Sequence, residues 1–144
     1  MITERFTLSA AVYLLLIKDN KVLLLRRYNT GWADGMYSMV SGHVDGGEPL
    51  SVAMCREAKE EAGITIAPGD IEFLHVMHRM SNKEYIDFFF MARNWEGEPY
   101  NAEPEKCDDM QWFPLDKLPD NILPHVRQVI AGYKKGLPFS EIGW

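Results

Sequence analysis

Runs of apolar residues predict paired strands near the start of the chain. Ser9–Ile17 (SAAVYLLLI) and Val22–Leu25 (VLLL) are almost entirely apolar, and the tetrapeptide between them, Lys18–Lys21 (KDNK), is typical of a hairpin turn. Because neither run alternates regularly with polar residues, we expect both strands to be covered on both faces. The pattern therefore predicts a buried hairpin.

The rest of the chain mixes predicted strands with two predicted helices. Pro49 suits a first helical position and Gly63 suits a C-terminal cap, so the spacing predicts a helix from Pro49 to about Ala62. Apolar residues at helical spacing predict a second helix over Ile122–Tyr133. Further strands are predicted at Met36–Val40, Glu72–Arg79, Glu84–Ala92 and Met110–Phe113. This mixture indicates an α/β or α+β fold, and the absence of a linker or repeat in the sequence predicts one domain over residues 1–144.

Composition narrows the class of function. The 15 basic and 21 acidic residues give a net charge of -6, which disfavours binding to a nucleic-acid polymer or an anionic membrane. Two cysteines, Cys55 and Cys107, are too few for a disulfide framework. The longest apolar run, Leu8–Ile17, is far shorter than the roughly 20 residues of a membrane-spanning helix. We therefore expect a soluble cytoplasmic protein that binds a small molecule.

The first predicted helix carries glutamates on its apolar side. Glu57 and Glu61 fall within the apolar stripe of the helical wheel, and Glu60 lies at its margin. Partly buried carboxylates repel one another, at about 4 kcal/mol for two full charges roughly 4 Å apart at an effective dielectric near 20. Such a cluster must take up protons or cations, and an all-oxygen cluster suits Mg²⁺ or Mn²⁺. The alternative is an ordinary solvated helix face whose glutamates pair with Arg56 and Lys59.

A loop rich in glycine precedes this helix, and the two together form a motif. Gly42 is followed after five residues by Glu48, and after seven more by the segment Arg56–Ile64 (REAKEEAGI). This arrangement resembles the Nudix hydrolase signature G-x5-E-x7-R-E-U-x-E-E-x-G-U at every fixed position, where U is a bulky aliphatic residue. Ala58 is smaller than the usual aliphatic residue, which alters helix packing and leaves the carboxylates in place.

The resemblance to Nudix hydrolases implies a fold and a reaction. The implied fold is an α/β/α sandwich with a mixed β-sheet. The implied reaction is a metal-dependent hydrolysis that cleaves a nucleoside diphosphate linked to another group and releases a nucleoside monophosphate. Glu57, Glu60 and Glu61 resemble the metal-binding set, and Mg²⁺ or Mn²⁺ is the implied cofactor. The carbonyl of Ser41, just before the motif, is a further candidate ligand.

The same resemblance suggests roles for the remaining charged residues of the motif. Glu57 is our first choice for the general base that activates water, although family members differ in which carboxylate does so. Arg56, together with Glu48, would orient the helix glutamates without touching the bond being broken.

Several residues beside the motif are candidates for substrate binding. Arg26 and Arg27 end the second strand, and alternation along a strand predicts that one of them points into the cleft, where it could hold a phosphate. Gly42 permits close approach of the main chain to a ligand, and His43 either donates to a phosphate or hydrogen-bonds the loop. Three aromatic residues either stack on a base or pack inside the domain: Trp32, Tyr37 and Trp112.

An acidic segment beyond the motif is a candidate for an additional ligand or base. Several hydrolases of this family draw such a group from a loop, and Glu103–Asp109 (EPEKCDD) is the candidate here. Glu105 and Asp109 are the preferred members. The alternative for each residue is a solvated position in an acidic loop.

The sequence leaves the substrate open. A MutT-like nucleoside triphosphate hydrolase is the first hypothesis, and ADP-ribose, dinucleoside polyphosphates and nucleotide sugars are alternatives because the base-reading pocket lies outside the motif. An isoprenoid diphosphate isomerase and a non-catalytic nucleotide-binding module are further alternatives, although the intact set of glutamates counts against the module. Family members are often dimers, so a homodimer is also an open expectation.

Overall fold

The computed structural model describes residues 3–144 and places eight strands and two α-helices within that range. Their bounds are β1 (Ser9–Lys18), β2 (Lys21–Arg27), β3 (Tyr37–Ser38), β4 (Val40–His43), α1 (Leu50–Ala62), β5 (Glu72–Met80), β6 (Glu84–Ala92), β7 (Cys107–Pro114), α2 (Pro124–Tyr133) and β8 (Phe139–Ile142). The predicted hairpin joins β1 to β2, and its turn residues Asp19 and Asn20 adopt left-handed φ values of 51° and 61°. No helix in the described range is both long enough and apolar enough to cross a membrane.

The sheet is mixed, and β1 lies at its centre. Its strands follow the order β3-β2-β1-β6-β5-β8, with β4 also paired to β1 and β7 also paired to β2. The β1–β6 pair is parallel, whereas the β1–β4 pair is antiparallel and matches Ala11 with His43 and Leu14 with Val40. Because β4 runs into the loop before α1, this pairing places the glycine loop and the glutamate helix beside the middle of the sheet.

Each face of the sheet is covered by one helix. Alternate residues of β1 enter two separate cores, so the predicted covering of the strand on both faces is confirmed. On one face Leu14 and Leu16 pack with Ala53, Met54 and Ala58 of α1. On the other face Tyr13 and Leu15 pack with Val126, Val129 and Ile130 of α2. The result is the expected α/β/α sandwich.

Two predicted elements differ from the structure, and one strand was not predicted. The single strand expected at Met36–Val40 is two short strands with different partners, because β3 pairs with β2 and β4 pairs with β1. The second helix begins at Pro124, two residues later than predicted. The N–H of Tyr37 donates to the carbonyl of Asn121 at 2.8 Å, and the carbonyl of Tyr37 accepts from the N–H of Leu123 at 3.0 Å. These two bonds hold the residues before Pro124 in an extended conformation. Strand β8, a parallel partner of β5, was not predicted from its short sequence FSEI.

Candidate active site

The end of α1 is fixed by a left-handed cap and by an aromatic ring. Gly63 has φ 68°, and its N–H donates to the carbonyl of Lys59 at 3.1 Å. The ring of Tyr100 lies so close to Gly63 that a Cβ at this position would overlap it. Glycine is therefore required here for both its φ value and its size, and it ends α1 two residues after Glu61.

Gly42 provides the space that the carboxylate of Glu57 occupies. A Cβ on Gly42 would overlap the Glu57 carboxylate, although the backbone of Gly42 does not need a positive φ. The same carboxylate accepts a hydrogen bond from Arg56 Nη1 at 3.0 Å. Burial raises the pKa of Glu57, and the bond from Arg56 opposes that shift. The role of Gly42 is thus to admit a side chain of α1.

Glu61 lies deepest among the three helix glutamates. Its Oε1 accepts a hydrogen bond from the backbone N–H of Ser41 at 2.7 Å. Burial raises the pKa of Glu61 to about 8, and the nearby charges of Glu57 and Glu103 add to the shift. Ser41 therefore contacts Glu61 through its N–H. The group proposed from the sequence as a metal ligand was instead the carbonyl of Ser41.

Arg56 joins the acidic residues of the motif. Its Nη2 lies 2.6 Å from Glu48, and its Nη1 lies 3.0 Å from Glu57 and 3.4 Å from Glu60. The Glu60 side chain is 49% exposed, so it lies further out than the other two glutamates. These contacts raise the pKa of Arg56, chiefly through Glu48. They fit the orienting role expected for Arg56 and Glu48.

The three carboxylates do not converge on one point. Within residues 3–144 no three His, Cys, Asp or Glu side chains lie close enough together to hold a metal ion. Glu57 and Glu60 turn toward Arg56, while Glu61 turns toward Ser41. The three carboxylates are therefore held apart in this arrangement, because Arg56 holds one oxygen of Glu57 and the Ser41 N–H holds one oxygen of Glu61.

Two lobes form a cleft beside these residues. They share Arg27, Thr30, Ser41 and Glu61, and each has a volume of about 360 Å³. The basic lobe adds Arg26, Asn29, Glu103 and Lys106 over an apolar floor of Leu25, Met39 and Cys107. The aromatic lobe adds Tyr13, Trp32, Gly42, His43, Arg79, Asn82, Lys83 and Tyr85. Glu61 and Ser41 thus lie where the two lobes meet.

The two arginines of β2 differ in position. Arg27 lines both lobes, and its guanidinium donates to the carbonyl of Trp32 at 2.8 Å and to Thr30 Oγ1 at 3.0 Å. Arg26 lines only the basic lobe and is paired with Asp108 at 2.7 Å. Both arginines therefore reach the cleft, contrary to the expectation from alternation, because a register shift between Arg26 and Arg27 interrupts the β2–β7 pairing.

The predicted aromatic and histidine candidates separate into two groups. Trp32 and His43 line the aromatic lobe, where His43 stacks on Tyr85 with ring centroids 6.0 Å apart. Tyr37 packs edge-on against Phe113, and its hydroxyl donates to Asp109, so it is a core residue. Trp112 stacks on Trp95 with centroids 6.0 Å apart and lies outside the cleft.

Glu103 is the member of the acidic segment that reaches the cleft. The N–H groups of Tyr100 and Ala102 donate to the carbonyls of Ala62 and Glu61 at 3.1 and 3.2 Å, which ties this loop to the end of α1. Glu103 lines the basic lobe, and its charge contributes to the raised pKa of Glu61. Loop contacts of this kind leave no periodic signal in the sequence.

The two acids preferred from the sequence lie elsewhere. Asp109 accepts hydrogen bonds from the Tyr37 hydroxyl and from Gln111 Nε2, the latter at 2.6 Å, and the bond from Tyr37 lowers its pKa. Glu105 is exposed and lines neither lobe. The preference for Glu105 and Asp109 was therefore wrong about position, because it was based on charge without knowledge of the loop path.

A buried polar network supports the aromatic lobe. Arg79 donates to both carboxylate oxygens of Asp87, at 2.6 and 3.1 Å, and to the Tyr13 hydroxyl at 3.4 Å. Burial lowers the pKa of His125 to about 3, so its ring is neutral, and its Nε2 shares a hydrogen bond with the Tyr13 hydroxyl at 3.0 Å. The Arg79 guanidinium also lies over the ring of Tyr85, 4.1 Å from its centroid. These contacts hold Arg79 flat against one wall of the lobe.

Comparison with known proteins decides the family. A model of the NUDIX domain matches residues 6–133. The chain belongs to the NUDIX family. The crystal structure of a MutT NUDIX hydrolase from Burkholderia pseudomallei is 26% identical, with a TM-score of 0.81 over 88% of this chain and 98% of that chain. The NUDIX assignment thus agrees with the motif and with the sandwich.

Curated relatives of this NUDIX chain differ in name and in the share of their length that this chain covers. The NAD-capped RNA hydrolase NudC of Stutzerimonas stutzeri is 31% identical over 88% of this chain, which spans only 42% of that protein. The oxidized purine nucleoside triphosphate hydrolase of Danio rerio is 31% identical over 79% of this chain and 71% of that protein. The 8-oxo-dGTP diphosphatase of Escherichia coli is 26% identical over 89% of this chain and 97% of that protein. This chain thus covers most of the length of the Danio rerio and Escherichia coli relatives, but less than half of the NudC relative.

Proposed function

We propose that this NUDIX protein is a metal-dependent pyrophosphohydrolase that cleaves a phosphoanhydride bond in a nucleoside diphosphate-linked substrate. The product would be a nucleoside monophosphate. The observation that carries the proposal is the burial of Glu61 at the junction of two lobes that also contain the cationic Arg27. A carboxyl group that can bind a cation and a cationic side chain are thus adjacent, as hydrolysis of a phosphoanhydride with bound cations requires.

The donor set fits a hard divalent cation such as Mg²⁺ or Mn²⁺. Glu57, Glu60 and Glu61 offer oxygen ligands, Glu103 lies nearby, and the Ser41 carbonyl is a further candidate. Because burial raises the pKa of Glu61 to about 8, a cation beside it would strongly favour its charged form. When bound, the metal would lower the pKa of the attacking water and neutralise phosphate oxygens.

The remaining roles belong to side chains of this chain. Glu57 would accept a proton from water, whose oxygen attacks phosphorus while the anhydride oxygen leaves with the electron pair of the broken P–O bond. Arg56 would hold Glu57 and Glu60 in place through its three ion pairs. Arg27, oriented by Thr30 and Trp32, would hold a phosphate of the substrate. Gly42 would keep room for the Glu57 carboxylate.

The relatives suggest where to look for the substrate. Two of them that match this chain over most of their length are named for nucleoside triphosphates, so a nucleoside triphosphate is the first candidate. NAD-capped RNA is the second, from the NudC relatives. ADP-ribose and dinucleoside polyphosphates complete the panel, and the homodimer and cytoplasmic location stay predictions.

The test is a product analysis with Mg²⁺ on this panel. Release of a nucleoside monophosphate supports hydrolysis, whereas tight binding without turnover would favour a binding module. Glu57→Gln should reduce turnover by about a hundredfold or more, in the range of a lost general base. Glu72→Gln, which removes the same charge from an exposed residue of β5, is the matched control. Equal rates for both variants would refute the assignment of Glu57.

A further inference from the structure

The aromatic lobe is lined by planar side chains, and one of its cations, Arg79, is already paired. Its Arg79 is already neutralised by Asp87 at 2.6 Å and lies over Tyr85, and the Trp32 ring also lines the lobe, with its centroid 6.0 Å from the same guanidinium. Aromatic and guanidinium faces of this kind are suited to a planar ring. Lys83, on the turn between β5 and β6, is the lysine that lines this lobe among the described residues.

The basic lobe has the opposite character. Within the described part of the chain no aromatic side chain lines it, so a second planar group would find nothing to stack on. Its polar donors include the amide of Asn29, the hydroxyl of Thr30 and the charged groups of Arg27 and Lys106. This set matches an anion with several oxygens, such as a chain of phosphates.

Besides Arg27, which both lobes share, Lys106 is the cationic side chain of the basic lobe that is left for a ligand among the described residues. Arg26 is paired with Asp108 at 2.7 Å, whereas Lys106 forms no ion pair with any residue between 3 and 144. The backbone of Lys106 is held from both sides, because its N–H donates to the Glu103 carbonyl at 2.9 Å and its carbonyl accepts from Tyr28 at 3.0 Å. The lysine is therefore anchored beside Glu103 with a free ammonium group.

We infer that the basic lobe binds the terminal phosphates of a nucleoside triphosphate, and that Lys106 sets the preference for such substrates. This inference rests on the proposed function and names its substrate class. The base would lie in the aromatic lobe, and the leaving group would be pyrophosphate. Substrates with a second planar group, such as dinucleotides, gain no contact from Lys106.

The test compares a nucleoside triphosphate with its diphosphate and with ADP-ribose. Lys106→Ala should lower kcat/KM for the triphosphate by roughly three- to tenfold, through KM, as expected for loss of one charge-assisted contact. Its kcat/KM for the diphosphate and for ADP-ribose should change by less than about twofold, since these lack the terminal phosphate. Lys106→Arg should restore most of the preference, because it restores the charge.

Lys83→Ala is the matched control, because it removes a lysine from the other lobe. Any loss it causes should be equal for the triphosphate and the diphosphate. The inference is overturned if Lys83→Ala selectively harms the triphosphate while Lys106→Ala does not, which would place the phosphates in the aromatic lobe. It is also overturned if Lys106→Ala weakens all substrates equally.

A binding measurement separates this inference from the proposed function. A non-hydrolysable nucleoside triphosphate analogue and the matching monophosphate are titrated into wild type and Lys106→Ala by calorimetry. Only the analogue should bind the variant more weakly, whether or not the protein turns substrate over. If hydrolysis is absent but this difference is present, the proposed function fails and the lobe assignment stands. If wild type prefers ADP-ribose or a dinucleotide to every triphosphate, the assignment fails and the hydrolase proposal stands.

Discussion

Replacing Glu61 by glutamine should stabilise the metal-free protein at alkaline pH. The carboxyl of Glu61 is buried, and its pKa rises from 4.5 to about 8 in the folded state. Between these two values the folded chain holds a proton that the unfolded chain has released, so the free energy of unfolding falls as pH rises. Glutamine stays neutral throughout and keeps an oxygen that can accept the Ser41 N–H.

The size of the effect follows from the same pKa. One pKa unit corresponds to about 1.4 kcal/mol, so full ionisation of Glu61 would cost about 5 kcal/mol as an upper limit. Water entry and relaxation of the cleft lower this cost, and we expect a gain of about 1 to 3 kcal/mol for Glu61→Gln at pH 8.5. At pH 5 the carboxyl is still protonated in the folded protein, and the gain should fall below about 1 kcal/mol.

The assay is urea denaturation at pH 5 and pH 8.5 with EDTA present, followed by tryptophan fluorescence. Glu60→Gln is the matched control, because it removes an acidic group from the same helix at a side chain that is 49% exposed. Its effect should be small and similar at both pH values. A Glu61→Gln variant that is no more stable than wild type at pH 8.5, or whose gain is independent of pH, would refute the argument from burial.

Three further predictions concern single residues. Gly42→Ala should lower kcat at least about tenfold, because the added methyl group would displace the Glu57 carboxylate. Gly69→Ala is the control and should leave kcat unchanged, because a Cβ at Gly69 would meet open space. Equal kcat values for the two variants would refute the steric argument. Asp87→Asn should destabilise the fold by about 3 to 5 kcal/mol in urea denaturation, because it leaves the buried charge of Arg79 without its anionic partner. An effect no larger than that of the exposed Asp70→Asn would contradict this prediction. Glu103→Gln should raise the Mg²⁺ concentration needed for half-maximal activity, and Glu105→Gln should not; the reverse order would return Glu105 to the site.

Local features of the sequence predicted most of the elements correctly. The hairpin turn at Asp19 and Asn20 and the cap at Gly63 depend on residues that tolerate left-handed backbone, and such preferences act within a few residues. The apolar runs of β1 and β2 matched their burial from both sides. Strand β8 was not predicted, because it is defined by its pairing with β5, which lies more than 60 positions earlier in the sequence.

The same distinction between local features and contacts of distant segments applies to the candidate site. The motif alone was enough to place Glu57, Glu60 and Glu61 on one helix behind a glycine loop, because it fixes their spacing and the spacing fixes the face of the helix. That Glu103, rather than Glu105 or Asp109, lies at the cleft became clear from the folded chain alone. The reason is physical: spacing along a helix sets positions within one element, whereas contacts between distant segments depend on the path of loops and the register of strands, which no local pattern encodes.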